Sequence, residues 1–147
     1  MPSDELDDLY RETILDHYRA PRGAKPLPRP DLAEDGLNPL CGDEVTVQLA
    51  MQDGRISDIS VQSRGCSISV ASGSLLAQQL KGLTVGEAER VLAAFKALMH
   101  GDEPPPDVDL GDIEVLGGVR NFPVRVKCAL LPWTTLEQAL ARLPERP

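Results

Sequence analysis

The sequence predicts an α+β domain in which a small antiparallel sheet of about three strands packs against several helices. Apolar and polar residues alternate over 44–51, the pair Asp53-Gly54 follows, and a second strand-like run covers 56–63. An Asp-Gly pair between two such runs predicts a hairpin with a two-residue turn. The segment 85–99 instead carries apolar residues at helical spacing, directly behind the capping-box sequence Thr84-Val85-Gly86-Glu87.

Three further helices are predicted around this hairpin. The first begins near Ser3, where acidic residues follow a capping serine, and ends near Ala20 because Pro21 comes next. The second begins just after Cys66, in a segment rich in small and hydroxyl residues. The last carries an apolar face from Ala129 to Leu143, with Pro132 expected to fit only near its first turn.

The segments between these elements read as irregular structure. Residues 21–40 are rich in proline, which predicts an irregular arm that leads the chain to residue 41. Residues 102–114 are acidic and contain three consecutive prolines, which predicts an exposed loop. Gly117-Gly118 is expected to be a flexible joint, and 122–125 an extended segment.

Composition limits the classes of function. The chain has 147 residues, which favours a single domain over 1–147, and aromatic residues make up only 3%, so the core must be aliphatic. The net charge of −8 argues against nucleic acid as a partner, because phosphate would be repelled. No apolar run reaches the ~18 residues of a membrane helix, and no signal peptide is recognisable. With three cysteines, an odd number, the chain is expected in a reducing cytoplasm, away from membranes.

The three cysteines are the candidates for chemistry. Cys41 precedes the first hairpin strand and Cys66 follows the second, so the antiparallel pairing places both at the same end of the hairpin. Together with Cys128 and Asp43, they would supply the three sulfurs and one oxygen of a tetrahedral zinc site. The alternative is that these are small buried residues without function, because free cysteines are commonly inert and no Cys-x-x-Cys pair occurs. The residue pattern leaves both interpretations open.

An ordered set of motifs resembles one family. These motifs are Leu15-Asp16-His17-Tyr18 with Pro21-Arg22, then Asn38-Pro39-Leu40-Cys41-Gly42-Asp43, then Arg64-Gly65-Cys66-Ser67-Ile68-Ser69, and finally Arg125-Val126-Lys127-Cys128. The chain resembles the U-type iron–sulfur cluster assembly proteins (IscU/NifU-like) over nearly its whole length, and within them the SufU-type zinc-dependent sulfurtransferases. The resemblance implies a SufU/IscU-like fold.

Two departures favour the SufU branch over the IscU scaffolds. Scaffolds of the IscU branch carry a histidine where this chain has Lys127, and a Leu-Pro-Pro-Val-Lys chaperone motif where it has Asn121-Phe122-Pro123-Val124-Arg125. The acidic, proline-rich segment over 101–118 resembles an insertion typical of the SufU branch.

The resemblance implies a function and a set of site residues. The chain would take persulfide sulfur from a SufS-type pyridoxal-phosphate cysteine desulfurase and pass it to a downstream Suf scaffold. Cys41, Asp43, Cys66 and Cys128 would bind Zn²⁺, and Cys41 would be the sulfur acceptor. The alternatives are a scaffold that assembles a [2Fe–2S] cluster on the same ligands, and a structural zinc adaptor for the desulfurase. Arg125 would be available to pair with Asp43 or with a persulfide anion; the alternative is an ordinary surface salt bridge.

Histidines are not expected among the ligands. His17 occupies a helix position typical of a packed residue, and His100 lies at a predicted helix end, where a solvated histidine complements the helix dipole.

Overall fold

The chain folds into a three-stranded antiparallel sheet covered by helices. The computed structural model describes residues 2–39 and 42–143, with side chains described from residue 11 onward. The elements in order are α1 (Pro2–Arg19), β1 (Leu32–Asn38), β2 (Asp43–Gln52), β3 (Arg55–Arg64), α2 (Ser67–Leu80), α3 (Val85–Met99), a 3₁₀ helix (Gly111–Asn121) and α4 (Pro123–Ala141). The strand order is β1-β2-β3. The predicted α+β architecture is therefore confirmed.

The predicted hairpin is the centre of the sheet. Asp53 and Gly54 have φ angles of 54° and 75°, as a two-residue turn between antiparallel strands requires. Val47 lies opposite Val61, and both side chains are buried. The apolar face of the hairpin therefore packs against the helices.

The first strand was not predicted. We expected an irregular arm over 21–40, and this is wrong for Leu32–Asn38, which pairs along β2 with Asn38 opposite Asp43. Acidic residues and Gly36 lower the strand propensity of this segment, so pairing with β2 decides its structure. Gly36 is needed because β1 passes close to α4: a Cβ there would lie 3.2 Å from the Thr135 Cβ and closer still to its hydroxyl.

The acidic segment is only partly the exposed loop that the sequence predicted. Its acidic side chains face outward, but four apolar residues spaced by three are buried: Leu110, Ile113, Leu116 and Val119. A spacing of three matches a helix with three residues per turn, and this segment forms the 3₁₀ helix. The expectation of a flexible joint at Gly117-Gly118 is wrong, because both glycines lie inside that helix.

The last helix begins earlier than predicted. The expectation of an extended segment over 122–125 is wrong beyond Phe122, because Pro123 is the first residue of α4. Proline suits this position, where the missing N–H has no helical partner. Pro132, expected near a helix start, instead lies in the interior of α4. Cys128 lies in the second turn of α4.

The core is aliphatic, and α2 lies at its centre, against α1, α4 and β3. The aromatic exception is a stacked pair, Phe95 and Trp133, whose ring centroids are 4.4 Å apart. The capping box of α3 is confirmed, because Thr84 and Glu87 exchange side-chain to backbone hydrogen bonds of 2.9 and 3.1 Å. Among the residues that the structure describes, no helix is both long enough and apolar enough to cross a membrane.

Candidate metal centre

Three of the four predicted ligands meet at one end of the sheet. Asp43 is the first residue of β2, Cys66 directly precedes α2, and Cys128 lies in the second turn of α4. One ligand atom from each residue lies within 4.8 Å of the others, and the structure identifies the three as a group that could hold a metal ion. Residues from a strand, a helix start and a second helix thus converge on one point.

Asp43 links the sheet to the start of α2. Its side chain is 1% exposed, and its Oδ1 accepts a hydrogen bond of 2.8 Å from the backbone N–H of Cys66. The thiol of Cys66 donates to the other carboxylate oxygen, Oδ2, at 3.3 Å. Because burying a carboxylate without partners is costly, these bonds orient Asp43 toward the cysteine.

Gly65 makes room for this carboxylate. Its φ is +140°, in a region that favours glycine. A Cβ at this position would lie 2.7 Å from the Cγ of Asp43 and closer still to Oδ1. Only glycine therefore lets Asp43 lie against the turn that carries Cys66.

The two sulfurs are held by helices. Cys66 is the N-cap of α2, and its side chain makes no capping hydrogen bond, so its sulfur stays directed to the Asp43 side. Cys128 is 1% exposed, and its thiol donates to the backbone carbonyl of Val124 at 3.6 Å. The N-terminal end of the α2 dipole favours negative charge beside Cys66, at the start of that helix.

The chemistry of these residues fits a zinc-like ion. Two thiols and one carboxylate match the ligands that tetrahedral zinc accepts, and three such residues leave one position for a further ligand. The hydroxyl of Ser69, three residues after Cys66, is fully buried and has no hydrogen-bond partner within the described part of the chain.

Cys41 lies outside the described residues, so its role as a ligand and as the acceptor stays a prediction. Among its described neighbours, the N–H of Gly42 donates a hydrogen bond of 2.8 Å to the carbonyl of Asn38. This bond closes the connection between β1 and β2 beside Asp43.

Comparison with known proteins decides the family. Residues 9–129 match the model described as the NifU-like N-terminal domain. The chain belongs to the NifU-like N-terminal domain family. The resemblance predicted from the motifs is confirmed.

Relatives within this family carry two kinds of name. The chain is 40% identical over 137 residues to the zinc-dependent sulfurtransferase SufU of Bacillus subtilis, covering 93% of this chain and 92% of that protein. It is 32% identical over 142 residues to the iron–sulfur cluster assembly scaffold protein IscU of Streptococcus pyogenes, covering 97% and 89%.

Solved structures share the fold. A crystal structure of FiSufU from Fervidobacterium islandicum AW-1 matches with a TM-score of 0.83 and 37% identity, covering 88% of this chain and 94% of that one. The N-terminal part of a NifU-like protein from Brucella abortus matches with a TM-score of 0.82 and 27% identity, covering 92% and 94%.

The histidine of the first family motif is packed inside the protein. His17 is 3% exposed and its Nδ1 is 2.7 Å from the Ser74 hydroxyl, which also accepts the Arg22 N–H at 2.8 Å. Burial lowers the pKa of His17, followed by the charge of Arg22. His17 is thus a packed residue and His100 is exposed, as expected. Arg125 is exposed, and its suggested pairing with Asp43 or with a persulfide anion stays a prediction.

The rim of the site is open and apolar. Leu37, Phe122 and Val124 are 58%, 61% and 67% exposed, although all three are large apolar residues close in sequence to a predicted ligand or to its hydrogen-bond partner. Phe122 also lines a groove of about 530 Å³, together with Ser67, the residue after Cys66. Exposed apolar side chains therefore lie close in sequence to the candidate metal centre.

Sequence reasoning missed the residues that support the ligands. The steric role of Gly65 depends on a strand-to-helix turn meeting Asp43, and only the glycine beside the cysteine signalled a close backbone approach. Ser69 and Ser72 belonged to a segment of small hydroxyl residues that predicted tight helix packing. The partners of Ser72 lie far away in the sequence.

Proposed function

We propose that this chain accepts persulfide sulfur from a cysteine desulfurase and relays it for iron–sulfur cluster assembly, with zinc bound by Cys41, Asp43, Cys66 and Cys128. The observation that carries the proposal is the convergence of Asp43, Cys66 and Cys128 within 4.8 Å. Similarity along the whole chain to a zinc-dependent sulfurtransferase supports it. We assign one domain to 1–147 and a reducing cytoplasm as the compartment, where free thiols persist.

Cys41 is the ligand that we assign as acceptor. It is two residues from Asp43, and two residues of chain span at most ~7 Å, so its thiol can reach the same centre. The other sulfurs belong to residues held by hydrogen bonds to Asp43 and Val124 and by their places on helices. Cys41 instead belongs to a short connection between two strands. Asp43, Cys66 and Cys128 would therefore keep the metal when Cys41 reacts.

The transfer step needs one nucleophile and no oxidant. Bound zinc supplies cysteine ligands already in the thiolate form. The Cys41 thiolate attacks the outer sulfur of the desulfurase persulfide and forms a new sulfur–sulfur bond. The sulfur–sulfur bond within the desulfurase breaks, and its cysteine leaves as a thiolate. The transferred sulfur keeps its oxidation level, and Cys41 carries the persulfide.

The partners follow from this step. The donor is a SufS-type desulfurase whose pyridoxal phosphate generates the persulfide from cysteine, and the recipient is a downstream Suf scaffold. A transfer between two proteins requires the acceptor thiol to enter the donor's active site. The exposed apolar rim around Leu37, Phe122 and Val124 supports docking of a protein at this end of the fold.

A scaffold for a [2Fe–2S] cluster is the second candidate, favoured by the 32% identity to an IscU scaffold over 97% of this chain. The same three described ligands could hold iron. Lys127 argues against it, because lysine is not a ligand for such clusters, which use cysteine or, in some cases, histidine. Anaerobic addition of iron and sulfide separates the candidates, since a scaffold develops the visible absorption of a cluster on all of its chains.

Desulfurase kinetics test the proposal. Purified SufS-type desulfurase with cysteine should form alanine faster when the zinc-loaded chain is added. Cys41→Ser should abolish that stimulation while retaining desulfurase binding in a pull-down. Elemental analysis of the isolated protein should give about one zinc per chain and little iron. Stimulation that survives in Cys41→Ser would support the structural adaptor instead.

A further inference from the structure

Ser72 connects the two helices that carry sulfur. Its hydroxyl, fully buried, donates to the backbone carbonyl of Ala129 on α4 at 2.6 Å. The same oxygen accepts a hydrogen bond of 3.0 Å from Nε1 of Trp133, also on α4. One α2 side chain thus binds α4 at two points one turn apart, and the first of them is next to Cys128.

The turn of α4 at this contact lacks one backbone hydrogen bond. Pro132 has no N–H, so the usual helical bond from residue 132 to the carbonyl of residue 128 cannot form. Ser72 donates to the next carbonyl along, that of Ala129, so the interhelical contact lies directly beside this defect. Trp133 is itself fixed by stacking on Phe95. The contact therefore joins α2 to α4 in one register.

We propose that Ser72 and Trp133 are positioning residues that set the distance between the Cys66 and Cys128 sulfurs for metal binding. The inference rests on the metal centre of the proposed function and goes beyond it, because neither residue is a ligand. Two sulfurs on one tetrahedral zinc lie ~3.8 Å apart, given Zn–S bonds of ~2.3 Å. Ligand sites tolerate errors of only ~0.5 Å. A slip of α4 along α2 would exceed that tolerance.

Two substitutions and one matched control test this pair. Ser72→Ala removes both bonds and adds no volume, and Trp133→Phe removes the indole N–H while keeping a smaller aromatic ring against Phe95. The control is Ser74→Ala, on the same helix and equally buried, whose hydroxyl bonds His17 and the Arg22 N–H on the α1 side. All four proteins are titrated with Zn²⁺ against a chelator of known affinity, and with Co²⁺ while visible spectra are recorded.

We expect Ser72→Ala and Trp133→Phe to bind Zn²⁺ about tenfold more weakly than the unmodified chain. Their Co²⁺ bands should shift or weaken, which reports altered ligand geometry. Ser74→Ala should keep the unmodified affinity and spectrum even if its melting temperature falls.

The outcomes separate this inference from the proposed function. No Zn²⁺ binding by the unmodified chain would refute the metal centre itself. Unmodified affinity and spectra in both Ser72→Ala and Trp133→Phe would refute the positioning role alone. Equal weakening in Ser74→Ala would also refute it, by showing that any loosening of α2 has the same effect. If Ser72→Ala does not fold, Trp133→Phe decides the question.

Discussion

Gly65→Ala is the substitution that most sharply separates site geometry from general stability. The new Cβ would lie 2.7 Å from the Cγ of Asp43, so the carboxylate must turn away. Turning away breaks its bonds to the N–H and thiol of Cys66. The positive φ of +140° adds backbone strain whatever the carboxylate does.

The magnitude follows from these two contributions. Strain from a side chain at positive φ costs about 1–3 kcal/mol. Loss of a hydrogen bond to a buried charged group adds about 2–3 kcal/mol. Zinc binding would have to drive the carboxylate back against the new Cβ, so the second contribution should weaken zinc affinity by roughly 30- to 150-fold.

Gly82→Ala is the matched control. Gly82 also has a positive φ, +92°, but a Cβ there meets no atom within 4 Å. Urea unfolding of the metal-free proteins and chelator competition for zinc measure both effects. Gly82→Ala should lose stability but keep zinc affinity, whereas Gly65→Ala should lose both. Equal zinc affinity in the two variants would refute the assignment of Gly65 as the space for Asp43.

Three further predictions concern stability. Chelation of zinc should lower the melting temperature but leave the far-ultraviolet helical signal, because the aliphatic core does not depend on the ligands; complete unfolding would contradict this. The pKa of His17 is lowered in the folded state. The contribution of neutral His17 to stability should therefore be complete above pH ~6.5 and be lost as the pH drops through the lowered pKa. His17→Asn should remove this pH dependence of urea unfolding. Leu110→Ala should lower the free energy of unfolding in urea by about 2–5 kcal/mol, because Leu110 is buried. Zinc content should not change, because the neighbouring Asp109 bonds Gln79 at the end of α2 opposite Cys66. Zinc loss would show that this segment shapes the site.

Local signals were sufficient where neighbouring residues decide the structure. The turn at Asp53-Gly54 and the capping box at Thr84 are encoded in two to four consecutive residues, and both formed as predicted. β1 was missed because its strand depends on pairing with β2, while Glu34, Asp35 and Gly36 disfavour strands on their own. The 3₁₀ helix was missed because acids and glycines obscured apolar residues spaced by three.

The candidate site divides in the same way. Hairpin geometry alone predicted that the start of β2 and the end of β3 meet, and Asp43 and Cys66 do meet there. The approach of Cys128 was implied by the family resemblance and not by any local pattern. It depends on how α4 packs on α2, through contacts such as Ser72 with Ala129, which are 57 residues apart in the chain.

The most direct test of the account is to locate the persulfide. The zinc-loaded chain is incubated with SufS-type desulfurase and cysteine, thiols are alkylated, and peptides are mapped by mass spectrometry. We expect one additional sulfur on Cys41, with Cys66 and Cys128 unmodified. A persulfide on Cys66 or Cys128 with Cys41 untouched would contradict it.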